Sequence, residues 1–68
     1  MVIFNDIEGN RKAINENLIL TIYETQLENG RFAIECYLIT KEVFTVDFAH
    51  QEHRDYIFDL ICEKLGIN

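Results

Sequence analysis

Alternation of apolar and polar residues is clearest between Leu18 and Phe48, and Glu28-Asn29-Gly30-Arg31 interrupts it near the middle. Alternation of this kind predicts half-buried strands, and Asn-Gly between two such runs predicts a hairpin. Two registers compete. A two-residue loop would pair Tyr23 with Cys36 and set Glu24 beside Glu35, mixing polar and apolar side chains on one face. A three-residue loop with Gly30 in the left-handed conformation moves the pairing by one residue and puts Leu18, Leu20 and Ile22 beside Leu38 and Cys36. Because a one-residue slip turns every side chain to the other face, the apolar pattern selects the bulged loop.

The run from Val43 to Phe48 alternates again and returns through Thr40-Lys41-Glu42. The strand from Arg31 to Thr40 is therefore expected at the centre of an antiparallel meander. Pairing Leu38 with Phe44, Cys36 with Val46 and Ile34 with Phe48 completes its apolar face. The opposite face is mixed: Ile19, Tyr23, Tyr37, Ile39 and Val43 lie toward one end and acids toward the other.

From about His50 to Leu65 the period becomes helical, with Ile57, Leu60, Ile61 and Leu65 at i, i+3, i+4 and i+8, and Gly66 is a natural stop. The apolar side of this helix is expected to cover the apolar face of the sheet. Upstream, Asn5-Asp6 can cap a short helix from Ile7 to about Glu16. Gly9 and Asn10 weaken that helix, and Met1 to Phe4 reads equally as an edge strand or an arm. The expected fold is α+β: a three-stranded antiparallel meander, a C-terminal helix on one face and a short N-terminal helix or arm. No linker, repeat or low-complexity stretch divides residues 1–68, so one domain is expected.

Length and charge narrow the function. A chain of 68 residues buries only about 60% of its unfolded surface, so its core is thin and oligomerisation is a natural support. Twelve acids against six bases give a net charge of −6, which disfavours direct contact with nucleic acid or an anionic membrane and favours basic partners. The apolar run Met1 to Phe4 has no preceding cation and is too short for a signal or spanning segment, and two cysteines fit reduced thiols. A cytoplasmic setting is expected.

Glu52, Asp55, Asp59 and Glu63 fall on one stripe opposite the apolar side of the helix, spanning roughly 16 Å at 1.5 Å per residue. Like charges at these spacings repel, and Glu63 lies at the negative end of the helix dipole. Folding does not require them there. The stripe reads either as a surface for a basic partner, imitating a nucleic-acid backbone, or as a solvated face that keeps a small protein soluble.

Other chemistry is weaker. His50 and His53 are three apart and could share a metal only if Asp47 or Glu52 joined them, and the spacing is not that of HExxH, so no metal is expected. Cys36 falls on the core face, while Cys62 and His53 are about 13 Å apart along the helix, too far for a dyad. All three glycines are assigned to turns or helix ends, leaving none for a phosphate loop. The expectation is a non-enzymatic module without a cofactor that binds a larger protein through a basic surface, as an inhibitor of a nucleic-acid-handling protein would. The alternative is a homo-oligomer, a dimer through the face carrying Ile19, Tyr23, Tyr37, Ile39 and Val43, unless the N-terminal segment folds back over that face.

Overall fold

The computed structural model describes residues 1–66. Five strands and one α-helix follow in the order β1 (Val2–Asn5), β2 (Arg11–Ile14), β3 (Ile19–Gln26), β4 (Phe32–Leu38), β5 (Val43–Phe48) and α1 (Gln51–Leu65). A single 3-10 turn, Glu16–Leu18, joins β2 to β3. β3, β4 and β5 form the antiparallel meander with β4 in the middle, and β1 and β2 form a separate antiparallel pair.

The β3–β4 register is the bulged one. Leu27 N–H donates to the Arg31 carbonyl at 2.8 Å, Gly30 N–H donates to the Leu27 carbonyl at 2.9 Å, and Gly30 has a φ of 86°. Only a residue without a Cβ takes that conformation without cost. Ile22 then pairs with Cys36 and Tyr23 with Glu35. The register shifts between Ile19 and Thr21, so that Leu20 lies opposite no residue and Ile19, not Leu20, pairs with Leu38. A β-bulge inserts one residue and exchanges the faces beyond it. Leu20 is 71% exposed, and Ile19 packs against the core. Both reverse the expected placement, in which Leu20 belonged to the core face and Ile19 to the opposite face.

Strand β5 pairs two residues out of the expected register: Cys36 lies opposite Phe44, Ile34 opposite Val46 and Phe32 opposite Phe48. A shift of two keeps the same side chains inside. Its cause is a tighter turn, in which Lys41 N–H donates to the Leu38 carbonyl and Leu38 N–H to that of Glu42, both at 2.9 Å. Lys41 adopts a φ of 74°, the one non-glycine residue with positive φ among those described.

No helix forms between Ile7 and Glu16. Asp6 caps a turn instead: its carboxylate oxygen Oδ1 accepts the N–H groups of Glu8 at 3.0 Å and Asn10 at 2.9 Å. Gly9, at a φ of 81°, lets the chain reverse into β2. Residues that cap helices also cap tight turns, and here Gly9 and Asn10 decide for the turn. The hairpin brings Val2, Phe4 and Ile14 into the core with Ile34, Cys36, Val46, Phe48, Ile57 and Ile61. The Phe4 and Phe48 rings meet with centroids 5.8 Å apart. Hairpin and helix thus cover the same face of the meander. The hairpin does not fold over Tyr23 and Tyr37, which leaves that second face open.

A left-handed conformation costs an L-residue roughly 1–2 kcal/mol. Lys41→Gly is therefore expected to raise stability by about 1 kcal/mol in urea denaturation, and a loss of stability would show that the Lys41 side chain supports the turn.

Candidate partner-binding surfaces

Helix α1 sits with Ile57 and Ile61 buried on the sheet and closes at Gly66, whose N–H donates to the Glu63 carbonyl at 3.1 Å. Arg54 lies on the same side, three residues before Ile57, and is the one charged residue buried as a whole among those described. Its Nη1 donates to the Thr25 carbonyl at 2.8 Å, its Nε lies 3.0 Å from Glu24 Oε2, and its Nη2 donates to Asp55 Oδ1 at 3.0 Å. The guanidinium also lies over the Phe32 ring, 5.4 Å from its centre. A buried cation needs such a set of partners, because desolvation without them costs several kcal/mol. Arg54 therefore bolts the start of α1 to the end of β3.

This bolt changes the meaning of the acidic stripe. Asp55 is half-buried and tied to Arg54, whereas Glu52, Asp59 and Glu63 are exposed and form no ion pair among the described residues. The Asp55 and Glu24 carboxyls lie close together and titrate apart. Hydrogen bonding to Asp55, then burial, holds Glu24 above its ordinary 4.5 against the pull of Arg54. Asp55 is held below its ordinary 3.8, first by Glu24 and then by Arg54. The two carboxyls face one another beside one guanidinium, so ionising one makes the other hold its proton longer.

Beside the bolt runs a groove of about 420 Å³ between β3 and α1, lined by Ile19, Leu20, Thr21, Ile22, Phe58, Cys62 and Leu65. A helix turns about 100° per residue. Leu65, Phe58 and Cys62 therefore share one flank, and Asp55, Asp59, Glu52 and Glu63 follow in that order around the circumference. Asp55 and Asp59, next around the helix from Cys62, border the groove, and Glu52 and Glu63 lie farther out. Burial raises the Cys62 thiol above its ordinary value, and Asp59 and Glu24 raise it further.

The open face of the meander carries Tyr23, Tyr37, Ile39 and Val43, all exposed. Ile19 is absent from it because of the bulge. The two tyrosine rings stack at 5.8 Å with their hydroxyls 3.3 Å apart, and Tyr37 donates to Glu35 Oε1 at 3.1 Å. Tyr37 and then Glu35 push the Tyr23 hydroxyl well above its ordinary value, so it stays protonated.

The histidines and cysteines do not come together. His50 occupies the N-cap position without a side-chain cap, and the His53 ring stands edge-on to Phe48 at 4.9 Å. Cys36 is buried, which raises its thiol to about 11, and among the described residues no three potential ligands are grouped to hold a metal. No described helix is long and apolar enough to cross a membrane. Comparisons with protein-family models, with curated proteins and with solved structures give no match to this chain.

Arg54, Glu24 and the groove are the features that residue patterns alone did not bring forward. The available signal was an arginine on the apolar side of α1, seven residues before Ile61.

A carboxyl with a raised folded pKa stabilises below its unfolded value and loses that contribution as pH rises through the folded value, whereas a lowered one loses it as pH falls. Glu24 therefore weakens the fold as pH rises above its ordinary 4.5, while Asp55 weakens it only as pH falls below its ordinary 3.8. Glu24→Gln should flatten the decline in urea stability on the neutral side. An unchanged slope would mean that the two acids are not coupled.

Proposed function

We propose that this chain is a non-enzymatic binding module whose acidic helix face engages a basic surface on a larger protein. The carrying observation is the unpaired set Glu52, Asp59 and Glu63 along one side of α1, on a chain of net charge −6. These acids repel one another, and an oppositely charged surface relieves that repulsion while steering encounter. A partner basic enough to complement them is of the type that handles nucleic acid, and its occupation would make this chain an antagonist. Two free cysteines, one of them buried, fit a reducing compartment, and we place the protein in the cytoplasm.

Asp55 is a poor residue for testing the stripe because altering it disturbs the Arg54 bolt. Asp59→Lys with Glu63→Lys leaves that bolt in place. After matched folding by circular dichroism, affinity capture from a bacterial lysate should retain a basic partner on the native chain. That capture should fall with added salt and be about tenfold weaker for the double variant. Equal capture by both chains would reduce the stripe to solvation.

The open tyrosine face favours a second reading, a homodimer through Tyr23, Tyr37, Ile39 and Val43, because the hairpin packs elsewhere and leaves these side chains exposed. Exposed tyrosine and aliphatic groups together are characteristic of interface centres. Analytical ultracentrifugation should then show a dimer that dissociates on dilution and is lost in Tyr37→Glu. A monomer at every concentration removes this reading.

A further inference from the structure

The ladder between β3 and β4 determines which backbone groups of β3 remain unused. Leu27 N–H is bonded to Arg31, and partners alternate along an antiparallel pair. Thr21, Tyr23 and Thr25 therefore face β4, and the N–H and C=O groups of Ile22, Glu24 and Gln26 face outward. β3 is an edge strand of eight residues with no lysine, arginine or proline. Proteins commonly blunt such edges with those residues, and an unblunted one is a template for another strand. The bulge here has the opposite effect, since it leaves Leu20 71% exposed beside the groove.

We propose that β3 is the docking edge for an extended segment of a partner protein, which joins the meander as a further strand. Apolar side chains of that segment enter the groove against Leu20, Ile22 and Phe58, and its lysines or arginines reach the rim formed by Asp55 and Asp59. This deepens, and rests on, the reading of a basic partner. Alternate side chains of an added strand share one face at roughly 6.8 Å spacing, and Asp55 and Asp59 are about 6 Å apart along the helix. Cationic groups at every second position therefore match the rim. Main-chain bonding to the edge supplies affinity, and the groove and rim supply selection. A second copy of this chain is the poorer occupant. It would set Glu24 and the acidic rim of one molecule against those of the other.

The capped peptide Lys-Thr-Lys-Thr-Val-Thr-Ile, with its lysines two residues apart on the same face as Val and Ile, serves as the probe, with Val and Ile both replaced by Ser as the equal-charge control. Amide NMR spectra of the full native chain should shift on titration at Ile22, Glu24, Gln26, Phe58 and Cys62, and slowed exchange should appear at the Glu24 amide. The Ser control should bind at least tenfold more weakly. Leu20→Lys, a change at an exposed position, should weaken binding by a similar factor, as should a chemically synthesised chain N-methylated at Glu24.

Equal binding of both peptides, with shifts confined to the outer acids of α1, overturns docking at the edge but leaves the basic-partner reading intact. No shift with either peptide, while the salt-sensitive partner is still captured, does the same. Loss of both the peptide shifts and that capture removes both readings. Protection of the Glu24 amide that grows with protein concentration in the absence of peptide assigns the edge to a second copy and overturns the proposal.

Discussion

One face of a three-stranded sheet must be kept dry by whatever else the chain has, and nearly every feature of this fold follows from that demand. Ile34, Cys36, Val46 and Phe48 form the floor and are essentially inaccessible to water. A single helix about 10–12 Å across, side chains included, cannot cover three strands spaced near 4.8 Å together with their side chains. The β1–β2 hairpin takes the remaining area with Val2, Phe4 and Ile14. Both covering elements are spent on one face, so the other stays open. Even the covered face is incomplete at its β3 margin, where the groove lies.

Arg54 answers the same shortage at the other end of that β3 margin. An aliphatic residue would leave the Thr25 carbonyl and the Glu24 and Asp55 carboxyls to water at the point where α1 meets the sheet. The guanidinium closes that corner by bonding all three while stacking on Phe32. Planar geometry with several donors suits arginine and not lysine for this position. The arrangement also fixes how α1 sits across the meander, and hence which flank of the helix walls the groove and which acids border it.

The meander, the helix and the β3–β4 register were legible because each depends on periodicity or on a turn with a specific backbone requirement. Gly30 and the alternation around it determine one answer between them. The rest depended on contacts no local pattern contains. Asp6 caps a turn or a helix equally well until Phe4 and Ile14 are seen to need the core. The bulge at Leu20 left no mark in the alternation, and it exchanged Ile19 and Leu20 between surfaces. The two-residue displacement of β5 was silent because it preserves every face. The acidic stripe was legible as a stripe, but only the position of Arg54 separates Asp55 from Glu52, Asp59 and Glu63.

Asp55 and Asp59 follow Cys62 around α1 on the flank nearest the β3 margin, and under docking at that edge the placement has an energetic consequence. An unpaired edge invites any strand, including that of another copy, and a small protein with such an edge risks association. Placing negative charge along the rim penalises a second acidic chain while leaving a basic segment free to approach. In the proposed docking the rim would discriminate among strands that the backbone alone would accept equally. Of the exposed acids only Asp59 and Glu63 are four apart and repel appreciably, and a cationic segment beside them would relieve that repulsion. On this view the acids and the edge form one surface, in which the edge supplies adhesion and the charge decides what adheres.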